Sequence, residues 1–197
     1  MIYFIRHGET EWSLTGKHTG QTDIPLTTHG KSQARALTPR LRDIPFAAVI
    51  SSPLQRAVET CQLSGLLLTE TVPDVDEWNY GQYEGLTSDT IRDTRPGWGV
   101  FRDGCPGGES VDQVQQRADR VLSRLRRYPG NVAVFSHGQF GEALAARWIG
   151  RPVLEAQHFH LDPATVSIFQ IDPAHPAVPV ISLWNSSGTL PGKKDAL

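Results

Sequence analysis

Cysteine is scarce: Cys61 and Cys105 are the only two in 197 residues. Their spacing fits no metal or redox motif, which sets aside zinc-ribbon and dithiol chemistry, and nothing argues for a disulfide between them. Long apolar runs are missing too, and none approaches the roughly 20 residues a membrane helix needs. The chain starts directly with Ile2-Tyr3-Phe4-Ile5, with no basic segment ahead of it, so no signal peptide is read and a cytoplasmic location is expected. A strong charge of either sign is also absent. Nineteen basic residues against 21 acidic ones leave a formal net charge of −2, which favours neither nucleic acid nor an anionic membrane as a partner. No carboxylate cluster suited to magnesium is visible, and no histidine has the local spacing of a zinc site. His158 and His160, which flank Phe159, are not taken as metal ligands.

The chain does have the composition of an ordinary globular protein, with 39% hydrophobic and 20% charged residues. Its length fits a single domain, placed at 1–185, with a loose tail at 186–197. Apolar strands are expected at 2–6, 47–50, 132–135, 165–171 and 178–184. Residues 11–26 read as a loop. Helices are expected at 29–42 (capped by Thr27 or Thr28, and kinked or ended early by Pro39), from Pro53 (where a preceding serine can cap), over 110–127, and from Gly138 to about Ile149. Arg117, Arg120, Arg124, Arg126 and Arg127 read as a solvated face. Residues 73–110, rich in glycine, acids and aromatics, read as an inserted lid. Strands alternating with helices point to an α/β fold: a three-layer α/β/α sandwich with a mostly parallel sheet and one antiparallel edge.

Three apolar strands end in Arg6-His7-Gly8, Ser51-Ser52-Pro53 and Ser136-His137-Gly138. In a parallel sheet these ends share one edge, where α/β proteins bind ligands. Two histidines, two glycines and Arg6 and Arg56 would then surround one crevice. Guanidinium groups, imidazoles and a helix N-terminus together favour an anion, above all phosphate.

These residues resemble the phosphoglycerate-mutase-like branch of the histidine phosphatase superfamily. The likeness runs in order through Arg6-His7-Gly8-Glu9-Thr10-Glu11-Trp12, Thr19-Gly20, Pro25-Leu26-Thr27, Ser51-Ser52-Pro53-Leu54-Gln55-Arg56-Ala57, Glu77, Gly81, Glu84-Gly85, Gly108-Glu109-Ser110 and Ser136-His137-Gly138. It covers roughly residues 1–170. Ser13 departs from the asparagine common at that position, and this departure, with Gly104-Cys105-Pro106-Gly107-Gly108-Glu109-Ser110, is most similar to the small-molecule acid phosphatase and sugar bisphosphatase members. The resemblance implies that His7 is the nucleophile and that Arg6, Arg56 and His137 hold phosphate. It implies that Glu77 is the general acid, desolvated by Trp78 and Tyr80, while Glu84 fixes the lid. Ser13, Thr19, Gly20, Gln21 and Gly138 are the implied substrate contacts. No metal or organic cofactor is implied. The expected activity is hydrolysis of small phosphomonoesters, sugar phosphates or bisphosphates, by a monomer or homodimer. A mutase and a non-catalytic phospho-ligand binder are the alternatives. The short chain and the acidic 73–110 segment favour hydrolysis over the mutase.

Overall fold

The computed structural model describes residues 1–190. In chain order the elements are β1 (Ile2–Arg6), α1 (Glu11–Leu14), α2 (Thr28–Ala36), α3 (Thr38–Leu41), β2 (Phe46–Ser51), α4 (Gln55–Leu63) and β3 (Glu70–Thr71). There follow α5 (Ser88–Thr94), α6 (Val100–Asp103), α7 (Val111–Leu125), β4 (Asn131–Ser136), α8 (Gly138–Trp148), β5 (Val166–Ile171) and β6 (Pro179–Ser186). The strands form one sheet in the order β3-β2-β4-β1-β5-β6. The first four are parallel to their neighbours, and β5 and β6 run antiparallel, giving the expected antiparallel edge.

Both faces of the sheet are covered, and β1 shows how. Its side chains alternate, as a pleated strand requires. Ile2 and Phe4 enter one core cluster with Val121, Leu122, Phe140 and Leu144 of α7 and α8. Tyr3 and Ile5 enter the other with Leu37, Leu41 and Cys61 from the α2–α4 layer. Each fully buried side chain of this size stabilises the fold by about 1.5–3 kcal/mol. The 73–110 segment adds Trp78, Tyr80, Trp98 and Phe101 to the first cluster.

Three local expectations need correction. Residues 11–26 are not wholly loop: Thr10 caps α1 and exchanges reciprocal hydrogen bonds with Ser13. Pro53 lies outside α4, whose N-cap is Leu54 with no side-chain cap. The serine hydroxyl expected to cap is committed elsewhere, as described below. The third correction is Arg117, which is buried, not solvated. It follows Val114 by three residues and precedes Val121 by four, so it occupies a core position on α7. The disturbance expected at Pro39 is present: the 29–42 stretch forms two helices, α2 and α3, that meet at Leu37. Residues 191–197, the end of the tail expected to be loose, lie outside the described residues.

Candidate active site

Register brings the three strand ends together. Arg6 lies opposite Ser136, and Ser51 opposite Phe135. The ladders run one residue further, with His7 N–H donating to the Ser136 carbonyl at 2.9 Å and Ser52 N–H to the Phe135 carbonyl at 3.0 Å. His7 and His137 therefore sit side by side, their rings 5.1 Å apart between centroids.

His7 is held at one ring nitrogen. Its Nδ1 lies 2.7 Å from the Gly8 carbonyl, which requires the proton on Nδ1 and leaves Nε2 as a lone-pair nitrogen without a partner among the described residues. The ring is only 4% exposed, yet it lines a cavity of about 270 Å³. Burial, followed by the charges of Arg56 and Arg6, drives its pKa well below the usual 6.5. The imidazole is neutral at physiological pH and can act as a nucleophile. The turn that carries it is tight. Gly8 N–H donates to Thr60 Oγ1 at 3.0 Å, and a Cβ on Gly8 would lie 2.5 Å from the Gly30 carbonyl.

His137 is placed differently. Its Nδ1 accepts from Arg56 Nε at 3.2 Å, so its proton is on Nε2, which donates to Ser52 Oγ at 2.8 Å. Ser52 Oγ in turn donates to Asp76 Oδ1 at 2.5 Å. The ring is fully buried, and desolvation, Arg56 and His7 hold its pKa well below 6.5. Arg56, also fully buried, spends its remaining bonds on the carbonyls of Thr19, Gly20 and Thr22. Neither Arg56 nor His137 lines the cavity; they back the wall behind His7. Arg6 does line it. Its Nη1 donates to the Leu161 carbonyl, and its buried Nε has no partner.

Glu77 enters from the segment between β3 and α5. One oxygen accepts from the N–H groups of Trp78 (2.9 Å) and Phe140 (2.8 Å), and the other from Gln139 N–H (3.1 Å). The carboxylate thus takes the capping position that His137, the N-cap residue of α8, leaves open. A cap of this kind is worth about 0.5–2 kcal/mol. Desolvation beside Trp78 and Tyr80 is legible in the sequence, but these three donors leave no sign there. Arg117 steadies the same segment from behind, binding Glu109 through two bonds of 2.8 Å and the carbonyls of Asp74, Asp76 and Glu77. Glu84 is turned away from the cavity. It accepts from Gly20 and Thr22 N–H at 2.8 and 3.1 Å, tying the 20–22 loop to this segment.

Of the expected substrate contacts, Ser13, Thr19 and Gly138 line the cavity, while Gly20 and Gln21 do not. Gly20 serves Arg56 through its carbonyl, and Gln21 is exposed. Sequence reasoning missed His18 and Glu142, both of which face the cavity. Burial lowers the His18 pKa to about 4, and its Nε2 lies 3.2 Å from Ser88 Oγ. Burial, with the charge of Glu77, raises the Glu142 pKa to about 8. No group of three or more potential metal ligands occurs among the described residues. His158 and His160 do have carboxylate neighbours, Glu155 at 3.6 Å and Asp162 at 2.9 Å, but each is a single pair.

A family model for the histidine phosphatase superfamily (branch 1) matches residues 2–186. This chain belongs to that family. The histidine phosphatase is 39% identical over 171 residues to an acid phosphatase of Mycobacterium tuberculosis, covering 85% of this chain and 84% of that one. It is 31% identical over 179 residues to sedoheptulose 1,7-bisphosphatase of Saccharomyces cerevisiae, covering 74% and 66%. Its fold superposes with a TM-score of 0.89 on the structure of an open reading frame product from Mycobacterium tuberculosis, at 37% identity and over 93% and 96% of the two chains. The protein is a phosphatase, and no helix among the described residues is long and apolar enough to cross a membrane.

Proposed function

We propose that this phosphatase is a metal-independent phosphomonoesterase that works through a phosphohistidine on His7 and acts on small phosphorylated metabolites, namely sugar phosphates or bisphosphates. The observation that carries the reading is the His7 ring, fixed by the Gly8 carbonyl at Nδ1, neutral, and open at Nε2 to the cavity. Nε2 attacks phosphorus as the ester P–O bond breaks. Arg6 stabilises charge on the phosphoryl oxygens directly, while Arg56 and His137 act from the wall behind. Glu77, at the N-terminus of α8, gives the leaving oxygen its proton and then takes one from the water that attacks the phosphohistidine. That attack breaks the N–P bond, releases phosphate and restores His7. Ser13, Thr19 and Gly138 contact the bound ester.

The cavity volume suits a small metabolite, and the relatives named acid phosphatase and sedoheptulose bisphosphatase support hydrolysis. Other relatives, 27–28% identical, are named probable phosphoglycerate mutases, so isomerisation of phosphoglycerate is the competing reading. The test is hydrolysis of an aryl phosphate by wild type and His7→Ala, with and without a chelator. Loss of phosphate release in His7→Ala and indifference to chelator are expected. Activity surviving in His7→Ala, or lost to chelator, overturns the reading. A phosphoglycerate that isomerises faster than it releases phosphate decides for the mutase.

A further inference from the structure

Glu142 lies inside α8, a position where a carboxylate is normally turned to solvent. Here it is only 8% exposed and lines the same cavity as His7 and Glu77. The helix explains its direction. Glu142 follows Gly138 by one turn, so the two share a face, and side chains lean toward the helix N-terminus. Gly138 has the Arg6 guanidinium against it: a Cβ there would sit 3.2 Å from Arg6 Cζ. Glu142 is therefore aimed along α8 toward Arg6 and the strand ends. The neighbouring acid, Glu77, already accepts three backbone N–H bonds and keeps one acceptor site for the leaving-oxygen proton. Among the described residues, Glu142 has the backbone of Leu161 as its one hydrogen-bonding neighbour. Its carboxyl is a cavity group, alongside Lys17, His18 and Ser88, placed to meet what occupies the space beyond the phosphoryl site.

We propose that Glu142 is a specificity-determining residue that contacts the leaving group, accepting uncharged, hydroxyl-bearing leaving groups and turning away those that carry a second anionic group. This rests on the hydrolytic reading above and narrows its substrate class to monophosphates of polyols and sugars. A hydroxyl can accept from the protonated carboxyl and donate to the ionised one, so it is bound in either state. A carboxylate or second phosphate can only accept, and it meets repulsion once Glu142 ionises.

The charges facing Glu142 are consistent with this. Arg6, from β1, is assigned to the phosphoryl group. Glu77 and Tyr80, from the segment before α5, add negative charge or none: the Tyr80 phenol is held well above its usual pKa and donates to Gln139 at 2.5 Å. Asp162 and His160, past α8, are paired with each other at 2.9 Å. His18 is neutral above about pH 4. Lys17 is exposed, with its ammonium 5.8 Å from the centre of the Trp12 ring. Among the described residues, the lysine and arginine side chains that line the cavity are Arg6, assigned to the phosphoryl group, and Lys17, at its exposed rim.

Two substrates of matched size test the idea: glycerol 1-phosphate, whose leaving group (glycerol) is uncharged, and 3-phosphoglycerate, whose leaving group (glycerate) carries a carboxylate. The readout is the ratio of their kcat/KM values for phosphate release, in which the titration of the shared phosphoryl group cancels. In wild type the ratio favours glycerol phosphate and rises as pH climbs through about 8, where Glu142 ionises. In the near-isosteric Glu142→Gln the ratio becomes flat with pH and falls by about tenfold at alkaline pH, the scale of one like-charge contact near a solvent-filled cavity. In Glu142→Arg it shifts toward phosphoglycerate at every pH. A wild-type ratio flat through pH 8, or one whose rise persists in Glu142→Gln, overturns the proposal. If His7→Ala is inactive on aryl phosphate while these ratios fail to move, the specificity role of Glu142 fails alone and the phosphohistidine reading stands.

Discussion

His7 and His137 end adjacent parallel strands, and each precedes a glycine, but the chain beyond the glycine differs. After Gly8 it continues as a loop braced by Thr60 and α2, and the Gly8 carbonyl turns back to take His7 Nδ1. After Gly138 it enters α8 at once, and His137 becomes the extended residue that precedes the helix, at φ −129° and ψ 176°. Its ring turns inward to Arg56 and Ser52, where both nitrogens are bonded. One motif therefore yields an imidazole with a free nitrogen at the cavity and another locked in the wall. The difference teaches that the Arg-His-Gly and Ser-His-Gly strings alone favour neither histidine as nucleophile; the hydrogen bonds made by the second ring nitrogen are what support the proposal of His7.

The comparison breaks most readily at the histidines themselves. His7→Ala is expected to lower phosphate release by about 10⁴-fold or more, the scale of losing a nucleophile, whereas His137→Ala loses about 10²–10³-fold, the scale of a lost charge-stabilising group. Steady-state kinetics on one substrate measures both, and equal losses would erase the distinction. Next is Glu77→Gln, expected to cost about 10²–10³-fold on a sugar phosphate. Its cost is smaller on an aryl phosphate, whose leaving oxygen needs no proton. Equal losses on both would show that Glu77 serves the helix end and not the leaving group. A smaller effect is expected from Ser52→Ala, which removes the acceptor of His137 Nε2. Leaving that buried group unpaired costs about 1–3 kcal/mol of stability, read by urea unfolding. If stability and turnover are both unchanged, the wall around His137 is not held as described.

The smallest expected effect is in pH-dependent stability. Both histidines have folded pKa values below the unfolded value of 6.5. The unfolded chain therefore binds protons first as pH falls. Their contribution is fully present above pH 6.5 and is lost as pH drops toward the folded values. Glu142, raised from 4.5 to about 8, acts with the opposite sign between those values, but a His137→Asn variant retains it. The loss of stability on acidification below pH 6.5 should be shallower in His137→Asn than in wild type. Identical slopes would mean that His137 is not held neutral in the folded state.

The parts of this molecule legible in the sequence are those where one local signal decides. Apolar runs cut off by Arg6, Ser51 and Ser136 mark strands and their ends, and parallel pairing then brings the ends together. What escaped depends on tertiary placement. Arg117 sits on the apolar stripe of α7, and that spacing was a usable signal, overridden by the assumption that arginine clusters face water. Glu142 gave no local sign, because only the packing of α8 on β1 turns that position into the cavity. The burial of His18 depends on Tyr80 and Trp98, whose rings lie 4.7 and 5.4 Å from its own. Ser52 reads as a helix cap, yet its hydroxyl joins His137 to Asp76, a pairing set by distant segments.

The central claim is that two similar imidazoles divide the work, with His7 alone carrying the phosphoryl group. Rapid alkaline quench of wild-type enzyme turning over substrate, followed by peptide mapping of the phosphohistidine, tests it directly. The phosphoryl group is expected on the peptide containing His7, absent in His7→Ala and still formed, more slowly, in His137→Ala. A phosphoryl group on His137, or turnover with no phosphohistidine at all, would contradict the account.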